Sequence, residues 1–277
     1  QRFAQVTNPP IDSLREKIVM SLDTYLGRRR SLLEEDPEAA HLLHLKSPIM
    51  SEGELAQLRE ATPEGFSVAT IQACFDVKDG AAGLERALDE LCADAEDAVN
   101  EEGCQTLVLS DRSADEARAP IPMLLAVSTV HHHMIRFGLR MRASIVAETG
   151  DARDVHQLAT LIGFGASAIC PYLAFETLAG LVADGDFEDQ ELDEVIANYR
   201  QAADAGILKV MSKMGISAVS SYHGAQIFEV LGLGEEVLRR CFRGTRSRIG
   251  GIGFRQIAAD VIERQNKAHS EEKLERG

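Results

Sequence analysis

Short apolar segments alternate with longer amphipathic segments between residues 66 and 225 of the chain. The apolar segments have the length of buried strands, and the amphipathic segments repeat their apolar positions every three or four residues, as helices do. The predicted strands span residues 66–75, 106–109, 143–147, 166–170 and 216–219. The predicted helices span residues 83–100, 122–138, 172–183 and 190–214, the last broken near Gly206, and a further helix runs from a cap at Asp151 or Asp154 to Ile162.

Strands that alternate with helices predict right-handed βαβ units around a buried parallel sheet. The five repeats fall short of the eight that close a full barrel. We therefore predict an α/β fold of parallel βαβ repeats that forms an open sheet or an incomplete (β/α) barrel.

The segment before residue 66 shows no such regular alternation, but it carries signals for two helices. We predict a helix that is capped by Asp12 or Ser13, ends near Leu26 and is stopped by Gly27. Leu14, Ile18 and Leu22 share one face of that helix. Ser51 and Glu54 have capping-box spacing and predict the start of another helix.

The whole chain, 1–277, is thus expected to be a single domain of three segments. These are a helical N-terminal segment (1–65), the βα repeats (66–225) and a helical C-terminal linker segment (226–277).

Composition narrows the classes of partner. The net charge is −15, so we expect neither nucleic acid nor an anionic membrane surface as a partner. The five cysteines are scattered and form no CxxC pair, which is typical of reduced thiols in the cytoplasm. No apolar run approaches the roughly 18–20 residues that span a bilayer. The chain begins at Gln1 rather than Met and has no signal peptide, so we expect a piece of a larger cytoplasmic protein.

Polar side chains follow several predicted strands. Asp76, Asp111 and Glu148 each stand at or just after a strand end. Ligands of parallel α/β folds bind outside the carboxyl ends of the strands, where three carboxylates can hold Mg²⁺ or act as acid and base. The alternative is that these groups cap the helices that follow. Ser221, Tyr222 and His223 form a second candidate, a polar turn that faces a ligand.

Two conspicuous motifs have simpler explanations. Consecutive residues of a helix point about 100° apart, so His131, His132 and His133 cannot converge on one metal ion. The glycine-rich run 250–253 follows no clear strand and is expected to be a turn or linker.

Three blocks of sequence suggest a family. The blocks are Phe3–Asp12 with its continuation to Leu22, Pro122–Glu176 and Gly206–Phe254. The middle block contains the triple histidine, Glu148-Thr-Gly150 and Pro171-Tyr-Leu-Ala-Phe-Glu176. Together they closely resemble the central domain of the glutamate synthase large (alpha) subunit. The resemblance covers essentially the whole chain and is looser between Arg28 and Arg118.

The resemblance implies a non-catalytic domain with no catalytic, cofactor or metal residue of its own. It implies a parent enzyme that makes glutamate from glutamine and 2-oxoglutarate, with FMN and an iron–sulfur cluster outside this segment. The implied partners are the glutaminase and FMN-binding domains of the same chain, and a small electron-donor subunit or ferredoxin. The domain would connect its neighbours and help to form an ammonia tunnel, with Asn8 at its mouth.

Two alternatives remain open at this point. One is a stand-alone, metal-assisted α/β enzyme that uses Asp76, Asp111 and Glu148. The other is an FMN-binding module in which residues 243–253 lie near the phosphate.

Overall fold

Four parallel strands form the central sheet. The computed structural model describes residues 9–31, 33–60, 66–187 and 190–270. The strands are β1 (Thr24–Leu26), β2 (Leu43–Leu45), β3 (Val68–Gln72), β4 (Cys74–Asp76), β5 (Thr106–Ser110), β6 (Arg118–Pro120), β7 (Ser144–Glu148), β8 (Ala168–Cys170), β9 (Val230–Leu233) and β10 (Ser247–Ile252). The helices are α1 (Ser13–Val19), α2 (Glu52–Glu60), α3 (Gly80–Asn100), α4 (Met123–Arg136), α5 (Val155–Gly163), α6 (Tyr172–Ala183), α7 (Leu192–Lys213), α8 (Val219–Tyr222), α9 (Glu235–Cys241) and α10 (Phe254–Ala268).

The order of the central strands follows the chain. The sheet runs β3-β5-β7-β8, and every neighbouring pair is parallel. Every residue of β5 and β7 is buried, as expected for parallel strands covered on both faces. A doubly wound sheet reverses its strand order at a switch point, whereas these strands advance in one direction, as in a barrel.

The helices that connect these strands also pack in chain order. Helix α3 contacts α4, and α4 in turn contacts α5. Each also packs on the sheet, with α3 on β3, α4 on β7 and α5 on β8. Asp154, one of the two predicted caps, starts α5 and forms a capping box with Gln157. The predicted α/β fold, with parallel βαβ repeats of an incomplete (β/α) barrel, is confirmed.

The N-terminal helix is shorter than predicted. It ends at Val19 rather than near Leu26, and Thr24–Leu26 instead pairs antiparallel with Leu43–Leu45. Leu14 and Ile18 are each 83% exposed, so the expected apolar face packs on nothing within the described residues. Leu22 is buried, but after the helix has ended, so its burial does not belong to a helical face. The capping box of Ser51 and Glu54 is present as predicted.

The predicted strand 216–219 is wrong. Gly215 has a φ of 68° and ends α7, and Ala218 makes a single parallel bridge to Ser21. Val219 already begins the short helix α8. The place beside β8 is taken by Ile49, which pairs parallel with Ile169. The N-terminal segment therefore extends the sheet where a fifth βα repeat was expected.

Three further predictions needed correction. The segment 66–75 forms two strands in different sheets, because Ala73 turns the chain from β3 to β4. Helix α7 runs unbroken through Gly206. The run 250–253 is largely strand, since β10 pairs parallel with β9. The segment 226–277, expected to be helical, therefore also contains a two-stranded sheet. The division into three segments stays a prediction.

No helix within the described ranges combines the length and the apolar character that crossing a bilayer requires.

Candidate functional site

Glu148 is the central side chain at the carboxyl end of the sheet. It is the last residue of β7 and is 2% exposed. Its oxygens accept hydrogen bonds from Arg59 Nη2 at 2.6 Å and from Arg112 Nε at 3.1 Å. Burial raises the pKa of Glu148, but hydrogen bonding by Arg59 and Ser110 and the charges of Arg59 and Arg112 outweigh it and hold that pKa below its usual value. Glu148 is therefore an ionised structural anchor with both oxygens engaged.

Arg112 spreads this network over neighbouring elements. Its other nitrogens contact Glu52 at the start of α2 and Glu176 of α6. The guanidinium carbon lies 4.0 Å from the centre of the Tyr172 ring. One side chain thus joins α2, β7 and α6 across the strand ends.

Asp111 follows β5 and ties two loops together. Its carboxylate accepts hydrogen bonds from Thr149 Oγ1 at 2.6 Å and from the Gly150 backbone nitrogen at 3.0 Å. It is 2% exposed, and burial raises its pKa to about 6 in spite of these bonds. It serves neither as a helix cap nor as a free base.

The three predicted strand-end carboxylates do not form one site. Asp111 and Glu148 end neighbouring strands of the central sheet, whereas Asp76 belongs to the β4–β6 pair and lies 3.7 Å from Lys78. No group of three His, Cys, Asp or Glu side chains suited to hold a metal ion occurs in the part of the chain that the structure describes. The geometry gives the metal-assisted alternative no support.

The polar turn lies elsewhere, beyond the amino end of the sheet. Ser221 is exposed, whereas Tyr222 is 0% exposed and its hydroxyl has no hydrogen-bond partner. His223 lines a cavity of about 150 Å³, together with Ser144, the first residue of β7. Of the three predicted residues, His223 is the one that faces a cavity.

Sequence reasoning missed three basic members of this cavity. Arg29, His131 and Arg140 also line it, and Arg140 Nε donates to His131 Nδ1 at 2.9 Å. Arg140 stands in the loop after α4, beside the exposed Met141, where a charged residue is expected to be solvated. His133 instead contacts Glu96 at 2.9 Å, so two histidines of the triplet have different partners.

The glycine-rich run leads into the N-terminus of α10. Glu236 accepts a hydrogen bond there from the Phe254 backbone nitrogen at 3.2 Å. A phosphate bound at a helix N-terminus needs those backbone N–H groups and no competing carboxylate. The position of Glu236 therefore speaks against a phosphate cradle in residues 243–253. The predicted tunnel-mouth residue, Asn8, lies outside the described residues.

Comparison with known proteins decides the family. The family model described as "Glutamate synthase central domain" matches residues 1–234. The chain belongs to the glutamate synthase central domain family.

Curated relatives match this central domain over all or nearly all of its length. The ferredoxin-dependent glutamate synthase of Pyropia yezoensis is 45% identical over 100% of the chain, which corresponds to 18% of that protein. The glutamate synthase [NADH] of Schizosaccharomyces pombe is 46% identical over 95% of the chain and 12% of that protein. The chain thus spans less than a fifth of these relatives.

Solved structures match the central domain only distantly. A mutant flavocytochrome b2 with benzoylformate is 14% identical, with a TM-score of 0.38 over 48% of this chain and 31% of that chain. A mandelate oxidase mutant with the monooxide FMN adduct is 14% identical, with a TM-score of 0.38 over 78% of this chain and 92% of that chain.

Proposed function

We propose that this domain is a non-catalytic connector within a glutamate synthase. It joins a glutaminase domain to an FMN-binding synthase domain and helps to enclose the passage through which ammonia travels. The parent enzyme makes glutamate from glutamine and 2-oxoglutarate.

The observation that carries the proposal is the closure of the carboxyl end of the sheet. In catalytic (β/α) folds this end is lined by residues that face the ligand. Here the ion pairs of Glu148 with Arg59 and Arg112 occupy it. Both oxygens of this carboxylate already accept charge-assisted hydrogen bonds, and the two neighbouring positive charges keep it ionised and repel a metal cation. Its position supports a structural role.

The cofactors and the electron donor belong to other parts of the parent enzyme in this proposal. FMN and the iron–sulfur cluster are held outside this domain. The domain is about equally similar to relatives named as ferredoxin-dependent and as NADH enzymes. This supports a donor, either ferredoxin or a small electron-donor subunit, that is selected outside the segment.

An absorption spectrum and a thermal melt of the purified 277-residue protein test the connector role. We expect a colourless protein whose melting temperature changes with neither FMN nor Mg²⁺. The described residues form no group suited to a metal ion, and Glu236 occupies the N-terminus of α10, where a phosphate would bind. Bound flavin would instead favour the FMN-binding alternative. An upward shift with Mg²⁺ that Asp111→Asn abolishes would favour the metal-assisted enzyme.

A further inference from the structure

The cavity at the amino end of the sheet is lined by basic side chains. Arg29, His131, Arg140 and His223 contribute to its wall, and no Asp or Glu occurs among the described residues that line it. This is unusual in a chain with a net charge of −15. The volume of about 150 Å³ has room for several water molecules or one small ion.

Arg140 brings a positive charge that is balanced by no carboxylate within the described ranges. Its three hydrogen bonds go to neutral acceptors: His131 Nδ1 at 2.9 Å and the backbone oxygens of Ala143 and Gly165 at 2.8 and 2.9 Å. A guanidinium group has five N–H donors, so two remain. Burial, with a smaller effect of Arg29, lowers the pKa of Arg140 to about 10.

Arg29 adds a second guanidinium group to the same wall. Its backbone nitrogen donates to the Met141 carbonyl at 2.8 Å, which holds this segment at the cavity. Its side chain is exposed and forms no ion pair with another described residue. Two like charges beside one cavity repel each other, and a bound anion removes that repulsion.

His223 supplies a hydrogen-bond acceptor. The backbone of Ala166 raises the pKa of the ring, which favours a proton on the nitrogen other than Nε2. Nε2 itself is buried and has no partner. Burial, followed by the charges of Arg140 and Arg29, lowers the pKa of His223 to about 3, so the ring is neutral. This leaves a bare lone pair at the cavity wall with no donor from the described residues, which costs free energy until a donor is supplied.

We propose that this cavity binds a small oxyanion that carries one O–H group, such as hydrogen phosphate or bicarbonate. The oxygens accept hydrogen bonds from Arg140 and Arg29, whose planar guanidinium groups match oxyanions. The O–H group donates to His223 Nε2. Sulfate has the charge but no proton at neutral pH, so one of its oxygens would face the lone pair. The site is therefore expected to prefer oxyanions that carry an O–H group over oxyanions that do not.

Calorimetric titration of the complete protein with phosphate, bicarbonate and sulfate at pH 7.5 tests the proposal. We expect saturable binding of phosphate or bicarbonate, whichever fits better, and binding of sulfate that is weaker by about tenfold. Arg29→Gln should weaken binding of the preferred ion by about fivefold. Arg28→Gln is the matched control, because Arg28 is exposed and next in the chain but does not line the cavity.

A third variant tests the role of His223. In His223→Gln an amide donor is available, so phosphate and sulfate should bind within about twofold of each other. The proposal is overturned if none of the three ions binds at millimolar concentration. It is also overturned if the protein without substitutions binds sulfate as tightly as it binds the other two ions. Equal effects of the Arg29 and Arg28 variants would also overturn it, since binding would then lie elsewhere.

Discussion

At the scale of single residues, burial changes the pKa and the hydrogen-bond partners of side chains that the sequence presents as candidate catalytic groups. Asp111 follows a strand end, as a catalytic carboxylate does, but its oxygens accept bonds from Thr149 and Gly150. Its pKa is raised from 3.8 to about 6, and burial is the largest cause. The folded protein therefore binds this proton more tightly than the unfolded chain does.

This difference predicts a pH dependence of stability. The contribution of Asp111 is fully present below its unfolded pKa of 3.8 and is lost as the pH rises through about 6. The loss corresponds to about 3 kcal/mol. Asp111→Asn removes this titration. The free energy of unfolding of the variant minus that of the parent should therefore increase by up to about 3 kcal/mol between about pH 4 and 7.

Urea unfolding at several pH values measures this difference. Asp115→Asn is the control, because Asp115 is exposed and its pKa is lowered by hydrogen bonds from Arg118. The two variants should therefore depart from the parent in opposite directions as the pH rises. If the free energy of unfolding depended on pH in the same way for the unsubstituted protein and for Asp111→Asn, the raised pKa of Asp111 would be contradicted.

At the scale of elements, close contact between helices overrides local propensity. A glycine inside a helix costs roughly 1 kcal/mol relative to alanine, which favours the predicted break near Gly206. The helix continues because α7 approaches α5 closely at this point. A Cβ on Gly206 would lie 2.3 Å from a methyl group of Val155. Gly206 therefore allows α5 to pack closely against α7 and does not end α7.

Two glycine-to-alanine variants separate these effects. Gly206→Ala should destabilise the fold by about 1–3 kcal/mol, because the overlap with Val155 outweighs the gain in helix propensity. Gly180→Ala in α6 should stabilise it by about 0.5–1 kcal/mol, since no atom lies within 4 Å of the added methyl group. Thermal or urea unfolding measures both. Adding Val155→Ala should restore part of the loss at Gly206, and no restoration would place the strain elsewhere.

At the scale of the whole molecule, the proposed role is to couple two distant reactions. Ammonia is small and neutral, and a passage that excludes water keeps it unprotonated. In the complete enzyme, Asn8→Ala should preserve glutamine hydrolysis but reduce the glutamate formed per glutamine consumed, with free ammonia as the difference. Asn198→Ala is a matched control on the exposed face of α7. Unchanged coupling in the Asn8 variant would remove Asn8 from the tunnel mouth.

Local patterns predicted much of the repeat region. The apolar runs around Val108, Val146 and Ile169 predicted three of the four central strands, because a parallel strand buried on both faces is apolar throughout. Periodicity also predicted α3 and α6 closely. The failures lie where partners are distant in sequence: Ile49 takes the place beside β8, and Thr24–Leu26 leaves the helical pattern to pair with β2.

The sequence by itself therefore determined the fold class and the carboxylates that end the strands, since these depend on local spacing and composition. It also carries the blocks that resemble the glutamate synthase central domain. Only the tertiary structure decided what those carboxylates do. It placed Arg59 and Arg112 on Glu148 at the carboxyl end of the sheet. It also brought Arg29, Arg140 and His223 to one cavity at the amino end. Charged side chains that are far apart in the sequence come into contact only when the chain folds, and local periodicity does not reveal those contacts.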